Sequence, residues 1–77
     1  MKSVTILLDT IEKVRKFVNQ ISTYEGEFDI ISDRYIIDAK SIMGIFSLDL
    51  SKPLKLQIHS EEAAAKVTEE LKEFIVG

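Results

Sequence analysis

Hydrophobic and polar positions alternate from Lys2 to Leu8, with Val4, Ile6 and Leu8 on one side, and this period of two predicts a strand. The period then lengthens. Ile11, Val14, Val18 and Ile21, joined by Phe17, recur at helical spacing, while Lys13, Arg15, Lys16, Asn19 and Gln20 fall on the opposite face, predicting a helix over 10–22. Asp9 followed by Glu12 reads as a capping-box-like start: the Asp side chain accepts from the third backbone N–H and the Glu side chain reaches back. Gly26 falls in the exit turn. Glu27 to Ser32 and Tyr35 to Asp38 read as two short strands joined tightly through Asp33-Arg34, a hairpin.

Ser41 opens a second, short helix that ends near residues 47–49, and Pro53 marks the turn beyond it. Leu54, Leu56 and Ile58 alternate with Lys55, Gln57 and His59 in the clearest half-buried strand of the chain. Ser60 caps the last helix, Glu61 and Glu62 suit its positive end, and Ala64, Val67, Leu71, Phe74 and Ile75 form its apolar stripe. The predicted order is β-α-β-β-α-β-α. Each strand has one apolar and one mixed face, which fits one sheet with its helices on one side, an α/β (α+β) open-faced sandwich.

Composition narrows the function more than the fold. A chain of 77 residues makes a single domain over 1–77 with a small core. It has no cysteine, which rules out disulfides and thiolate metal sites and suits a reducing cytoplasm. The net charge is −3 with both signs dispersed, so there is no basic face for a phosphate backbone and nucleic acid is not expected. One histidine leaves little for a transition metal. No leader pattern opens the chain and no apolar run is long enough to span a bilayer, so no membrane insertion is expected.

The element order, together with A-K-S-I-M-G-I-F-S-L-D-L at residues 39–50, resembles the HPr family, the small phosphocarriers of the bacterial phosphoenolpyruvate-dependent sugar phosphotransferase system. The K-S-I-M-G core followed by a hydrophobic residue and S-L is similar to Gram-positive members. The resemblance runs without a gap back to the first helix and forward through the fourth strand, and the last helix matches in pattern. It implies a four-stranded antiparallel sheet covered on one face by three helices, and a carrier rather than an enzyme, with no cofactor. In the family, the loop after the first strand carries G-[IL]-H-A-R-P-A, whose histidine accepts and passes on a phosphoryl group. In this frame Thr10 stands for the histidine, Glu12 for the arginine and Lys13 for the proline.

Elementary chemistry agrees that this end is a poor phosphate site. Asp9 and Glu12 put carboxylates where a helix start would otherwise attract an anion, and a threonine hydroxyl without an adjacent base is a weak nucleophile. Thr10 reads as a plain helix-start residue, and His59 as a solvent-facing strand residue at the far end of the fourth strand. A catabolite-repression branch of the family has also lost the histidine and serves regulation, but it keeps the arginine and proline that this chain lacks. Asp49 and Pro53 also stand where the family usually has small residues or glycine.

What the chain keeps is the second helix. Ser41 falls on the family's regulatory serine, which a dedicated kinase phosphorylates in Gram-positive bacteria, and it lies beside Lys40 at a helix start. With or without phosphate it serves as an N-cap, contributing about 1 kcal/mol. The resemblance implies that Lys40, Ile42, Met43 and Phe46 dock phosphotransferase-system enzymes, the serine kinase or a transcriptional regulator, while Ile45 and Leu48 pack inward. An Ile-Met pair with an aromatic on one exposed turn exceeds the usual scatter of surface apolar residues. Three readings follow: a regulatory or adaptor protein acting through this helix, a working phosphocarrier, or a module that self-associates through the Ile42–Phe46 patch. The oligomeric state stays open.

Overall fold

The computed structural model describes residues 2–76. Four strands and three helices follow in the order β1 (Lys2–Ile6), α1 (Ile11–Ile21), β2 (Phe28–Ser32), β3 (Tyr35–Asp38), α2 (Ile42–Phe46), β4 (Leu54–Ile58) and α3 (Glu61–Glu70). The strands form one antiparallel sheet in the order β1-β4-β2-β3. The strand last in sequence among the four therefore lies between β1 and β2, where both its edges are paired. Its period-two pattern is the cleanest because one face is wholly committed to the core: Leu54, Leu56 and Ile58 are buried while Lys55 is exposed.

The buried faces of sheet and helices meet in one cluster that includes Ile6, Phe28, Ile30, Leu56 and Ile58 from the sheet, Val14, Phe17 and Ile21 from α1, Ile45 from α2, and Ala64 and Val67 from α3. Leu8, Leu71 and Phe74 join from the connections. Phe17 and Phe74 meet edge to face, with ring centroids 5.8 Å apart and planes at 90°, a geometry worth about 0.5–1.5 kcal/mol beyond the area buried. No helix among the described residues is long and apolar enough to cross a membrane.

Several local expectations are corrected. β1 ends at Ile6, because Leu7 turns its N–H to the Phe74 carbonyl at 2.8 Å; Leu8 is nonetheless buried, as the alternation requires. The cap of α1 is Thr10, not Asp9: the Thr10 hydroxyl accepts from Lys13 N–H at 3.1 Å, and Asp9 instead pairs with the Lys13 ammonium at 2.9 Å. Ile11 is 62 % exposed and leaves the apolar stripe, since its place in the first turn precedes the sheet-facing run. The last helix stops at Glu70. The chain then turns through Leu71 and Phe74, and Ile75 bridges to Ile6 on β1. Gly26, in the exit from α1, has φ 105°, a conformation that glycine adopts without a Cβ penalty.

Candidate functional site

The polypeptide reaches α2 through a tight sequence of caps. Lys40 N–H donates to Asp38 Oδ1 at 2.9 Å and Ser41 N–H to the Asp38 carbonyl at 2.9 Å, which turns the chain off β3. Ser41 then adopts extended φ and ψ of −94° and 98°, and its Oγ accepts from Gly44 N–H at 3.2 Å. At the other end Ser47 Oγ donates to the Gly44 carbonyl at 2.6 Å. A helix of five residues has few internal hydrogen bonds, so these serine contacts supply much of what holds it.

Those five residues divide sharply. Ile45 is fully buried, and Ile42 and the following Leu48 are half-buried against the core. Met43 is 77 % exposed and Phe46 38 %. Successive helical positions are turned about 100° from one another, so with Ile45 anchored inward Met43 must face out. Ser41 is exposed on the same segment, its Oγ engaged as an acceptor. The structure thus gathers Ser41, Met43 and Phe46 on one exposed turn. α1 and α2 are in contact beneath it.

Lys40 has another duty. Its ammonium donates to the carbonyls of Tyr24 and Gly26 at 2.7 and 3.3 Å and lies 5.5 Å from the centroid of the Phe28 ring. It closes the turn between α1 and β2 rather than standing as an open cation beside Ser41. Gly26, Glu27, Phe28, Asp29, Asp38 and Lys40 line a shallow depression around this contact.

At the start of α1 the structure places Thr10 as the residue before the helix, with Glu12 and Lys13 in its first turn. Thr10 is exposed and spends its hydroxyl as the N-cap. The hydrogen bond from Lys13 holds the Asp9 carboxyl below its usual range, so a negative charge is fixed next to Thr10. His59 is at the opposite end of its strand, and its side chain is not fully solvent-facing as expected: it is 29 % exposed, with Nε2 2.7 Å from Asp29 Oδ2 on β2. The sheet brings these two residues together across 30 positions, a pairing no local pattern in the sequence announces. Among the described residues no cluster of His, Asp and Glu could hold a metal ion.

Of the exposed apolar residues outside the expected site, two lie side by side on one strand. Tyr35 and Ile36 on β3 are 61 % and 69 % exposed. A signal for the second existed, because adjacent Ile36 and Ile37 cannot share a strand face.

The family model for the PTS HPr component phosphorylation site matches residues 12–76. Among solved structures, the chain is similar to HPr-C-His from Thermoanaerobacter tengcongensis, with 32 % identity, 95 % of this chain and 92 % of that one covered, and a TM-score of 0.75. The phosphocarrier protein HPr from Bacillus anthracis str. Ames shares the fold at 23 % identity, with 97 % and 94 % covered and a TM-score of 0.72. No curated protein matches the sequence. With the family matched over most of its length and the fold shared, the chain belongs to the HPr family of the phosphotransferase system, a family of phosphocarrier proteins and not of enzymes.

Proposed function

We propose that this chain is an HPr-like regulatory or adaptor protein that does not itself carry phosphate on a histidine and that binds partner proteins through α2 in the cytoplasm. The observation that carries this reading is the exposure of Met43 and Phe46 around an exposed, cap-forming Ser41, on a helix otherwise anchored by Ile45. Exposed apolar side chains, one of them an adaptable methionine, suit docking to a protein surface. The loss of histidine transfer is supported by Thr10, whose hydroxyl is occupied in capping, and by the adjacent Asp9 carboxylate.

Phosphate on Ser41 is the proposed control. It would place a charge of about −1.5 to −2 on the rim of the Met43–Phe46 face, changing which partners dock more than it changes the fold. Lys40 would contribute little to holding it while its ammonium stays on the turn carbonyls. The test has two arms. Incubation with enzyme I and phosphoenolpyruvate should leave the mass unchanged, and stoichiometric labelling of Thr10 or His59 overturns the reading as a non-carrier. Incubation with the HPr-type serine kinase and ATP should add one phosphate at Ser41. Labelling at Ser47 or Ser60, or labelling that survives Ser41→Ala, overturns the regulatory serine.

A further inference from the structure

The two edges of the sheet differ. The outer edge of β1 is met at its C-terminal end by the chain's own residues 74–76, with Leu7 N–H donating to the Phe74 carbonyl at 2.8 Å, Val76 N–H to the Thr5 carbonyl at 2.9 Å, and Ile75 bridging Ile6. β3 forms the other edge. Its register with β2 decides which backbone groups point outward. Ser32 and Tyr35 flank a two-residue turn, Ile30 faces Ile37, and Ala39 N–H donates to the Phe28 carbonyl at 2.8 Å. Tyr35, Ile37 and Ala39 therefore turn their N–H and C=O groups toward β2, and Ile36 and Asp38 turn theirs away. The Asp38 carbonyl accepts from Ser41 N–H. The N–H and C=O of Ile36 and the N–H of Asp38 have no partner among the described residues.

Edge strands usually carry charges or proline where they would otherwise recruit another strand. Here the centre of the edge is apolar, with Tyr35 and Ile36 both exposed. The charges lie at the two ends, and they are of opposite sign: Arg34 and Asp38, each two residues from Ile36. The segment R-Y-I-I-D is thus complementary to its own reverse.

We propose that β3 pairs antiparallel with β3 of a second copy of this chain, about a two-fold axis through Ile36. In that register Ile36 exchanges both backbone hydrogen bonds with its counterpart. Arg34 falls opposite Asp38 of the partner subunit, and Asp38 opposite Arg34 of the partner subunit, all on the open face of the sheet. Tyr35 falls opposite Ile37 of the partner subunit on the helix side. Opposite charges directly across an antiparallel pair stabilise it, whereas a parallel, in-register pairing would set like charges side by side. The two-fold contact closes on itself, since each copy's β3 edge is used once and is no longer free to take a third copy. A strand of four residues makes a small interface, below the usual range of stable complexes, so the dimer is weak and reversible. The pairing uses none of Ile42, Met43 or Phe46 and so goes beyond the reading of α2 as a docking face.

Sedimentation from about 10 µM to about 1 mM should show the mean mass rising toward that of a dimer, and amide exchange at Ile36 should slow in the same range. Arg34→Asp and Asp38→Arg should each raise Kd about tenfold or more, by setting like charges across the two-fold. An equimolar mixture of the two variants should restore association, because both charge pairs then become opposite again. Circular dichroism checks that each variant is folded, and the Ile36 exchange of the parent stands as a test even where one is not. A protein monomeric through 1 mM overturns the proposal. So do a dimer that protects α2 amides instead of Ile36, and a mixture that associates no better than its components.

Discussion

A Cβ placed on Gly44 would lie 2.6 Å from Cγ2 of Ile37 and 3.1 Å from Oγ of Ser41. The absence of a side chain is what lets α2 settle onto β3 with its serine cap closed. Cγ2 belongs to a β-branched residue and moves only if χ1 or the backbone moves, so the clash has no inexpensive relief.

Gly44→Ala is therefore expected to destabilise the protein although alanine is the better helix former. The propensity gain is about 1 kcal/mol, and overpacking costs about 1–3 kcal/mol, leaving a net loss of about 1 kcal/mol. Urea unfolding of Gly44→Ala, Ile37→Ala and the double variant checks this. The double variant should lose less than the sum of the singles, as the contact is shared between the two positions.

The division of α2 into an anchored and an exposed side predicts opposite responses from neighbouring residues. Ile45→Ala should cost about 2–5 kcal/mol, the usual range for emptying a fully buried aliphatic site. Met43→Ser should change stability by no more than about 0.5 kcal/mol, since a side chain 77 % exposed gives up little on removal. Equal losses from the two substitutions would contradict the orientation of the helix.

Thr10→Ala removes the acceptor that closes the first turn of α1 and is expected to lower stability by about 1 kcal/mol. Asp9→Ala should cost less, because its bond to Lys13 is an exposed side-chain pair. Thermal or urea midpoints of the two variants give the order, and a larger loss at Asp9 would return the cap to that residue.

Tyr24 ties the end of α1 to α3 through a hydrogen bond from its hydroxyl to Glu70. Burial, and then the Glu70 hydrogen bond and charge, push its pKa from 10.0 up to about 12. Because the folded value lies above the unfolded one, the contribution is fully present below pH 10.0 and is lost as pH rises through about 12. Ultraviolet titration should show one tyrosine ionising near pH 12. Tyr24→Phe should flatten the decline in stability over that window. An acid limb of the opposite sign is expected from Asp9 and Asp49. Hydrogen bonds from Lys13 and Ser51, respectively, hold their carboxyls below 3.8, so their stabilising contributions fade as pH falls through the lowered values.

The elements themselves were legible in the sequence because each is announced by side chains within a few residues of one another. Leu54, Leu56 and Ile58 fix a strand face, Ser41 and Ser60 mark helix starts, and Asp33-Arg34 joins two strands of a hairpin, with Asp33 taking the positive φ of 51°. The exposed Met43 and Phe46 followed from the same local geometry, once Ile45 was taken as the inward residue. Tertiary structure decided what depends on partners distant in the chain. Strand order is one such case: β4 lies between β1 and β2, and residues 74–76 return to meet the end of the β1 edge while β3 forms the other, none of which a periodic pattern can encode. The same holds for Lys40, whose ammonium is drawn to carbonyls 16 and 14 residues away, and for His59, which meets Asp29 across the sheet. Ile11 shows the limit from the other side. Its spacing belongs to the apolar stripe, but the sheet lies under the later turns of α1, and a side chain is buried only where another element comes to cover it.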